Sequence, residues 1–175
     1  MPRGDQATRS TSTEAVGLLR ALAAHPGVLF NGSFRKQYGA VCFRVADDGE
    51  IEVLMITSRD TGRWVIPKGW PMKNRKPYEA AATEALQEAG VRGRTGKKPI
   101  GQYTYLKRLD GGSDVACIVE IYQVEVTVIE PEFKEKGQRT LEWVAPAEAG
   151  RRVQEPELKS FLSGFKPRGK RYRQE

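Results

Sequence analysis

From Gln37 to Val45 the chain reads Q-Y-G-A-V-C-F-R-V, with the alternation expected of a half-buried strand. Asp47-Asp48-Gly49 then supplies a turn, and Ile51–Thr57 (I-E-V-L-M-I-T) a partner, so 37–57 predicts a hairpin. Trp64-Val65-Ile66 is a short apolar strand stopped by Pro67. A helix is predicted from Pro77 to Ala89. Proline suits its first turn, Glu79 sits near the positive end, and Gly90 stands where a left-handed closing residue belongs. Strands follow at 99–108 and 115–128. The second of these, rich in β-branched residues, is the strongest strand signal in the chain. A further strand at 140–144 and a closing helix over 156–165 complete the pattern. The order β-β-β-α-β-β-β-α implies a mixed sheet covered by helices, an α/β (α+β) fold.

The ends read differently. The first dozen residues are polar and expected to be disordered, and a short helix is expected from Thr13, with Val16, Leu19, Leu22 and Ala23 on one side. Pro26 and Gly27 end it. Three parts result: a lead and short helix over 1–30, a folded domain over 31–165, and a basic tail over 166–175.

Composition narrows the function classes. At 175 residues, 39% hydrophobic and 29% charged, the chain predicts one soluble globular domain. No run approaches the roughly 18 to 20 apolar residues that would span a bilayer, so no membrane partner is expected. Arg20 interrupts the apolar stretch 14–24, which argues against a secretory leader. Cys42 and Cys117 lie in separate apolar runs and read as buried free thiols, pointing to a reducing, cytoplasmic setting. The single histidine, His25, falls in a linker, which excludes histidine-based catalysis. A net charge of +7 is concentrated partly in K-P-R-G-K-R-Y-R (166–173). That run reads as a solvated end, or as a weak contact for RNA or another polyanion.

Chemistry concentrates between Gly69 and Val91. Lys68, Lys73, Arg75 and Lys76 lie in a loop feeding an alanine-rich helix with an acidic stripe. Glu84 and Glu88 are four apart and share a face, and Gln87 lies beside them. Two carboxylates with an amide oxygen form half of a site for a hard cation. Like charges at this spacing cost roughly 0.2–0.5 kcal/mol alone, a cost that a cation would offset. A basic loop against an acidic helix therefore suits a phosphate anhydride with a divalent ion beside it.

The segment as a whole resembles the Nudix box: Gly, five residues, Glu, seven residues, Arg-Glu, an apolar residue, any residue, Glu-Glu, any residue, Gly, and an apolar residue. Gly69, Glu84, Ala85, Glu88, Gly90 and Val91 match. Arg75 stands where the first Glu belongs, Thr83 replaces the Arg, and Gln87 replaces the first Glu of the adjacent pair. Within the family, R-W-V-I-P-K-G-W-P and the late Q-R-T-L-E-W-V look most like the diphosphoinositol polyphosphate phosphohydrolase group, which also cleaves diadenosine polyphosphates. The resemblance implies an α/β/α sandwich with a mixed central sheet. It also implies a Mg²⁺- or Mn²⁺-dependent pyrophosphohydrolase acting on a small polyphosphate. Glu84, Glu88, Gln87 and the Gly69 carbonyl would hold the ion. Lys68, Lys73, Arg75, Lys76 and Arg63 would grip phosphates, with Arg139 joining them. A base from outside the box, Glu135 ahead of Glu132, would complete the catalytic set with Glu84 and Glu88. Trp70 is the aromatic best placed to touch a ligand, whereas Trp64 and Tyr103 read as core. The three departures also leave room for a fold that binds such a ligand without turning it over.

Overall fold

The computed structural model describes residues 34–169; the expected N-terminal lead and helix, and the chain beyond Gly169, lie outside them. In order, the elements are β1 (Arg35–Val45), β2 (Ile51–Thr57), β3 (Trp64–Val65), β4 (Lys68–Gly69), α1 (Pro77–Ala89), β5 (Val91–Thr95), β6 (Gly101–Arg108), β7 (Asp114–Ile129), β8 (Leu141–Val144), α2 (Pro146–Arg152) and α3 (Pro156–Ser163). They fall into two compact units. Among the described residues the smaller contains Phe34, Arg35 and Leu106–Ala116, and its hairpin is closed by Arg108 on Asp114 at 2.9 and 3.0 Å. The larger, Lys36–Tyr105 and Cys117 onward, holds every residue of the candidate site.

The eight strands form one sheet. Its path runs β3-β2-β1-β7-β5, with β4 on β1, β6 on β7 and β8 on β2. The predicted hairpin is present as β1–β2, antiparallel, with Phe43 opposite Val53 and Arg44 opposite Glu52. That charged pair closes at 2.7 Å.

Period-two alternation divides the larger unit into two cores. Val41, Phe43, Val53, Met55, Val119 and Ile121 point to one face, where Ala149, Leu158 and Leu162 of α2 and α3 cover them. Ala40, Cys42, Leu54, Ile56, Tyr122 and Val124 point to the other, against Ala81, Ala85 and Ala89 of α1. The result is a helix–sheet–helix sandwich. Alanine along the buried side of α1 lets its backbone sit close to the sheet, which brings the acidic stripe down to the strand ends. Both cysteines are buried thiols outside any disulfide, as expected. No helix among the described residues is long and apolar enough to cross a membrane.

The helix at 77–89 has the boundaries that its sequence predicts. Glu79 Oε2 accepts the Lys76 amide at 2.8 Å and so ties down its first turn. Gly90 ends it with φ of 67°. A Cβ there would overlap the Phe133 ring. Gly90→Ala is expected to cost at least about 1–2 kcal/mol from the left-handed backbone alone, before the ring contact is counted. Thermal denaturation should then show Tm lower by roughly 2 °C or more.

Candidate active site

The strand–loop–helix segment folds back on itself so that β4 lies beside α1. Gly69 pairs with Tyr38 on β1, and the Glu84 carboxylate rests directly on Gly69, in the space a side chain would fill. One turn along the same face, Glu88 is only 8% exposed. Its Oε2 accepts the Lys68 amide at 3.0 Å, and its Oε1 accepts Arg139 Nη2 at 2.6 Å. Glu135, also 8% exposed, accepts Arg139 Nε at 2.8 Å. Three carboxylates thus converge from a helix and a loop.

Their electrostatics differ. Burial, then Glu88 and then Glu135, push the Glu84 carboxyl up to about 7. Burial also raises Glu88, but Arg139 and Lys68 act against it. Among the described residues no hydrogen-bond donor or ion-pair partner meets the Glu84 carboxylate. A half-buried, donorless acid beside two others is a poor structural feature and a good cation ligand.

The expected ion fits this arrangement on one condition. Among the described residues no group of three acidic, histidine or cysteine side chains is placed to hold a metal ion by itself. Mg²⁺ does not require one, since it keeps several waters and takes one or two carboxylates together with substrate phosphates. Glu84 and Glu88 meet that requirement, with Gly69 against the first of them.

Of the other expected residues, some gather here and some do not. Gln87 lies on the same face, but its Oε1 is turned to Lys134 Nζ at 3.4 Å. Lys68 lies within electrostatic reach of Glu88, its ammonium 5.1 Å from the Tyr105 ring centre. Lys73, Arg75 and Lys76 are exposed on the loop between β4 and α1. No described side chain pairs with Lys73 or Arg75, so both cations are available to a ligand. Arg63 is held elsewhere, by Gln154 at 2.8 Å and Glu155 at 3.3 Å. Arg139, expected to grip phosphate, is 7% exposed and lies between the acids. Tyr103 is core at 1% exposure, as expected.

Sequence reasoning did not single out Lys134, Arg59 or the Thr57 carbonyl. Arg59 Nη1 lies 3.6 Å from Glu135, and Thr57 accepts Arg139 Nη1 at 2.9 Å. Only the dense charge in P-E-F-K-E-K-G-Q-R-T signalled that loop. The basic run at the end enters the described residues only at 166–169. There the Arg168 amide donates to Gln123 Oε1 at 2.8 Å, the Gln123 amide donates back at 2.7 Å, and Pro167 is buried. The run therefore begins docked on β7.

With this geometry in view, comparison with known proteins is decisive for the family. The chain matches the NUDIX domain over residues 35–167. It belongs to the NUDIX family. Diphosphoinositol polyphosphate phosphohydrolase 2 of Rattus norvegicus is 36% identical over 64 residues, covering 37% of this chain and 35% of that protein. Nudix hydrolase 12, mitochondrial, of Arabidopsis thaliana is 27% identical over 135 residues, 69% of this chain and 66% of the relative. The chain thus spans about a third of the first relative and under two thirds of the second.

Solved structures agree on the NUDIX fold. The C. elegans Ap4A hydrolase superposes with TM-score 0.53 at 18% identity, covering 74% of this chain and 93% of that one. The NUDIX domain of Shewanella oneidensis NrtR, complexed with ADP ribose, gives 0.54 at 12% identity, with 81% and 94% covered. The α/β/α sandwich with a mixed central sheet is the fold of this NUDIX chain.

Proposed function

We propose that this NUDIX chain hydrolyses a phosphate anhydride with Mg²⁺ or Mn²⁺, on a substrate such as a diphosphoinositol polyphosphate or a dinucleoside polyphosphate. The observation that carries the reading is the donorless Glu84 carboxylate, packed on Gly69 beside Glu88, with Lys73 and Arg75 exposed on the loop before its helix. Glu84 and Glu88 would hold the ion together with the Gly69 carbonyl and waters. The bound ion would neutralise charge on the leaving phosphate and lower the pKa of an attacking water. Lys68, Lys73, Arg75 and Lys76 would orient the polyphosphate, and Arg63 would join them by giving up Gln154 and Glu155. Glu135 stays the candidate base from outside the box; its pairing with Arg139 requires it to share that partner while it accepts a proton. Burial of both cysteines and the relatives' reactions are consistent with an enzyme of the cytoplasm acting on small molecules.

A release assay decides the reading. Dinucleoside polyphosphates, diphosphoinositols, nucleotide sugars and nucleoside triphosphates are incubated with Mg²⁺ or Mn²⁺, and the products are separated. Metal-dependent cleavage of at least one class, lost in Glu88→Gln, is the expected result. No cleavage of any class by the wild type would sink it. Joint replacement of Lys73 and Arg75 by Ala should raise KM about 5- to 10-fold with kcat unchanged, since exposed ion contacts contribute roughly 0.2–1 kcal/mol each. Their effect should shrink as salt is added.

A second reading has one observation in its favour. Gln87 is neutral and its oxygen already faces Lys134, so the site has one acid fewer than the family pattern. A module that binds polyphosphate without cleaving it would show ligand binding in the same panel with wild type and Glu88→Gln equally inactive.

A further inference from the structure

We infer that Arg139 is a positioning residue, holding Glu88 and Glu135 in place for the ion-dependent step, and is not a contact for substrate phosphate. The inference rests on the hydrolase reading above and adds a residue from outside the box to its machinery. All three guanidinium nitrogens are committed, each to a different segment of the chain. Nη2 donates to Glu88 of α1 at 2.6 Å, Nε to Glu135 in the loop before β8 at 2.8 Å, and Nη1 to the Thr57 carbonyl at the end of β2 at 2.9 Å. Its side chain is 7% exposed, and the side chains alone of the two acids it joins are each 11% exposed. A phosphate-gripping arginine needs donors facing the cleft; this one has turned them inward.

The consequence for Glu88 is geometric. Arg139 takes one oxygen and the Lys68 amide takes the other at 3.0 Å, so the carboxylate plane is pinned from both ends. Each oxygen keeps a second lone pair. The acid is thus fixed in direction without being used up. The planar fork of an arginine suits this task, because it can donate to two carboxylates and a carbonyl at once; a lysine ammonium cannot reproduce that geometry.

The helix itself offers no substitute. Thr83 stands at the box position that the family gives to Arg, and its hydroxyl donates to the Glu79 carbonyl at 2.7 Å. Glu88 therefore draws its cation from a residue 51 positions along the chain. The same loop is tied to α1 a second time, by the Glu135 amide on the Gln87 carbonyl at 3.0 Å. Loop and helix form one rigid platform with Arg139 at its centre.

Arg139→Ala and Arg139→Lys test this on the full chain. Free Mn²⁺ is titrated onto metal-stripped protein and followed by electron paramagnetic resonance, independently of turnover. Steady-state rates are measured on whichever anhydride the wild type cleaves. The expected result is Mn²⁺ affinity and kcat each about 10- to 100-fold lower, as found when an outer partner of a metal ligand is removed. KM should stay within about threefold, and Lys should recover only a small part of either loss. A KM raised about tenfold or more, with Mn²⁺ affinity and saturating kcat at wild-type values, would make Arg139 a phosphate contact and overturn the inference. Should Arg139→Ala fail to fold, Arg139→Lys decides by the same two readouts. A wild type that binds Mn²⁺ yet cleaves nothing removes the turnover reading, while the Mn²⁺ arm still decides the role of Arg139.

Discussion

Glu84→Gln is expected to lower kcat by about 100- to 1,000-fold, the usual loss when a group stabilising transition-state charge is removed. The same substitution should leave the metal-free protein at least as stable as before. The two effects have one cause. Glu84 receives no hydrogen bond from a described residue, so glutamine breaks no structural contact. It removes a half-buried negative charge that Glu88 and Glu135 both repel. The sign follows from the direction of the shift. The folded-state carboxyl is pushed up to about 7, above its value of 4.5 in a free chain. An acid raised on folding destabilises the fold once it must ionise, and this penalty appears as pH climbs from about 4.5 to 7. Discounted for its partial exposure, the penalty is about 1–2 kcal/mol. In EDTA, the Tm of Glu84→Gln should thus match wild type near pH 4.5 and exceed it near pH 8. Saturating Mg²⁺ should reverse the order at pH 8, because the ion stabilises only the protein that binds it. A Glu84→Gln protein that melts below wild type in EDTA at pH 8 would show that the carboxylate has a structural partner and no need of an ion.

How much of this was legible in the sequence depends on where the information lay. The helix over 77–89 announced both ends through Pro77 and Gly90, and the hairpin through alternation around Asp47-Asp48-Gly49. β7 was equally plain, and the structure only lengthens it to Asp114–Ile129. The elements that escaped notice lacked a local signal. β4 is two residues, Lys68-Gly69, and exists because β1 accepts it as a partner. β5, V-R-G-R-T, is largely polar and exposed, and its strand character comes from antiparallel pairing with β7. α2, P-A-E-A-G-R-R, is seven residues with an internal glycine, too short for a periodic stripe.

The site divides the same way. Helical spacing alone put Glu84, Gln87 and Glu88 on one face, and all three are there. Which of them keeps free oxygens was beyond spacing, because it depends on Arg139, Lys134 and the Lys68 amide arriving from elsewhere. Arg139 shows the limit clearly. A cation in a charged loop reads from sequence alone as a ligand contact; the partners that Arg139 has in the fold, Glu88, Glu135 and the Thr57 carbonyl, come from three separate segments.

Gly69→Ala is expected to reduce activity about as severely as loss of Glu84 itself, by about 100-fold or more. The added methyl would occupy the volume held by the Glu84 carboxylate, whose two oxygens and carboxyl carbon are the three nearest atoms to it. Backbone conformation is not the obstacle, since Gly69 has no positive φ and sits in regular pairing with Tyr38. What gives way is the acid: a flexible, half-buried side chain swings off the strand more cheaply than the strand leaves the sheet. Folding should therefore survive, with Tm little changed, while Glu84 loses its place beside Glu88. A double-mutant cycle separates this from general damage. If the methyl acts by displacing Glu84, then Gly69→Ala combined with Glu84→Gln should lose no more activity than the worse single variant. Multiplying losses would mean that Gly69 contributes on its own, through its carbonyl toward the ion. Either way the smallest residue in the segment sets where the Glu84 carboxylate can stand.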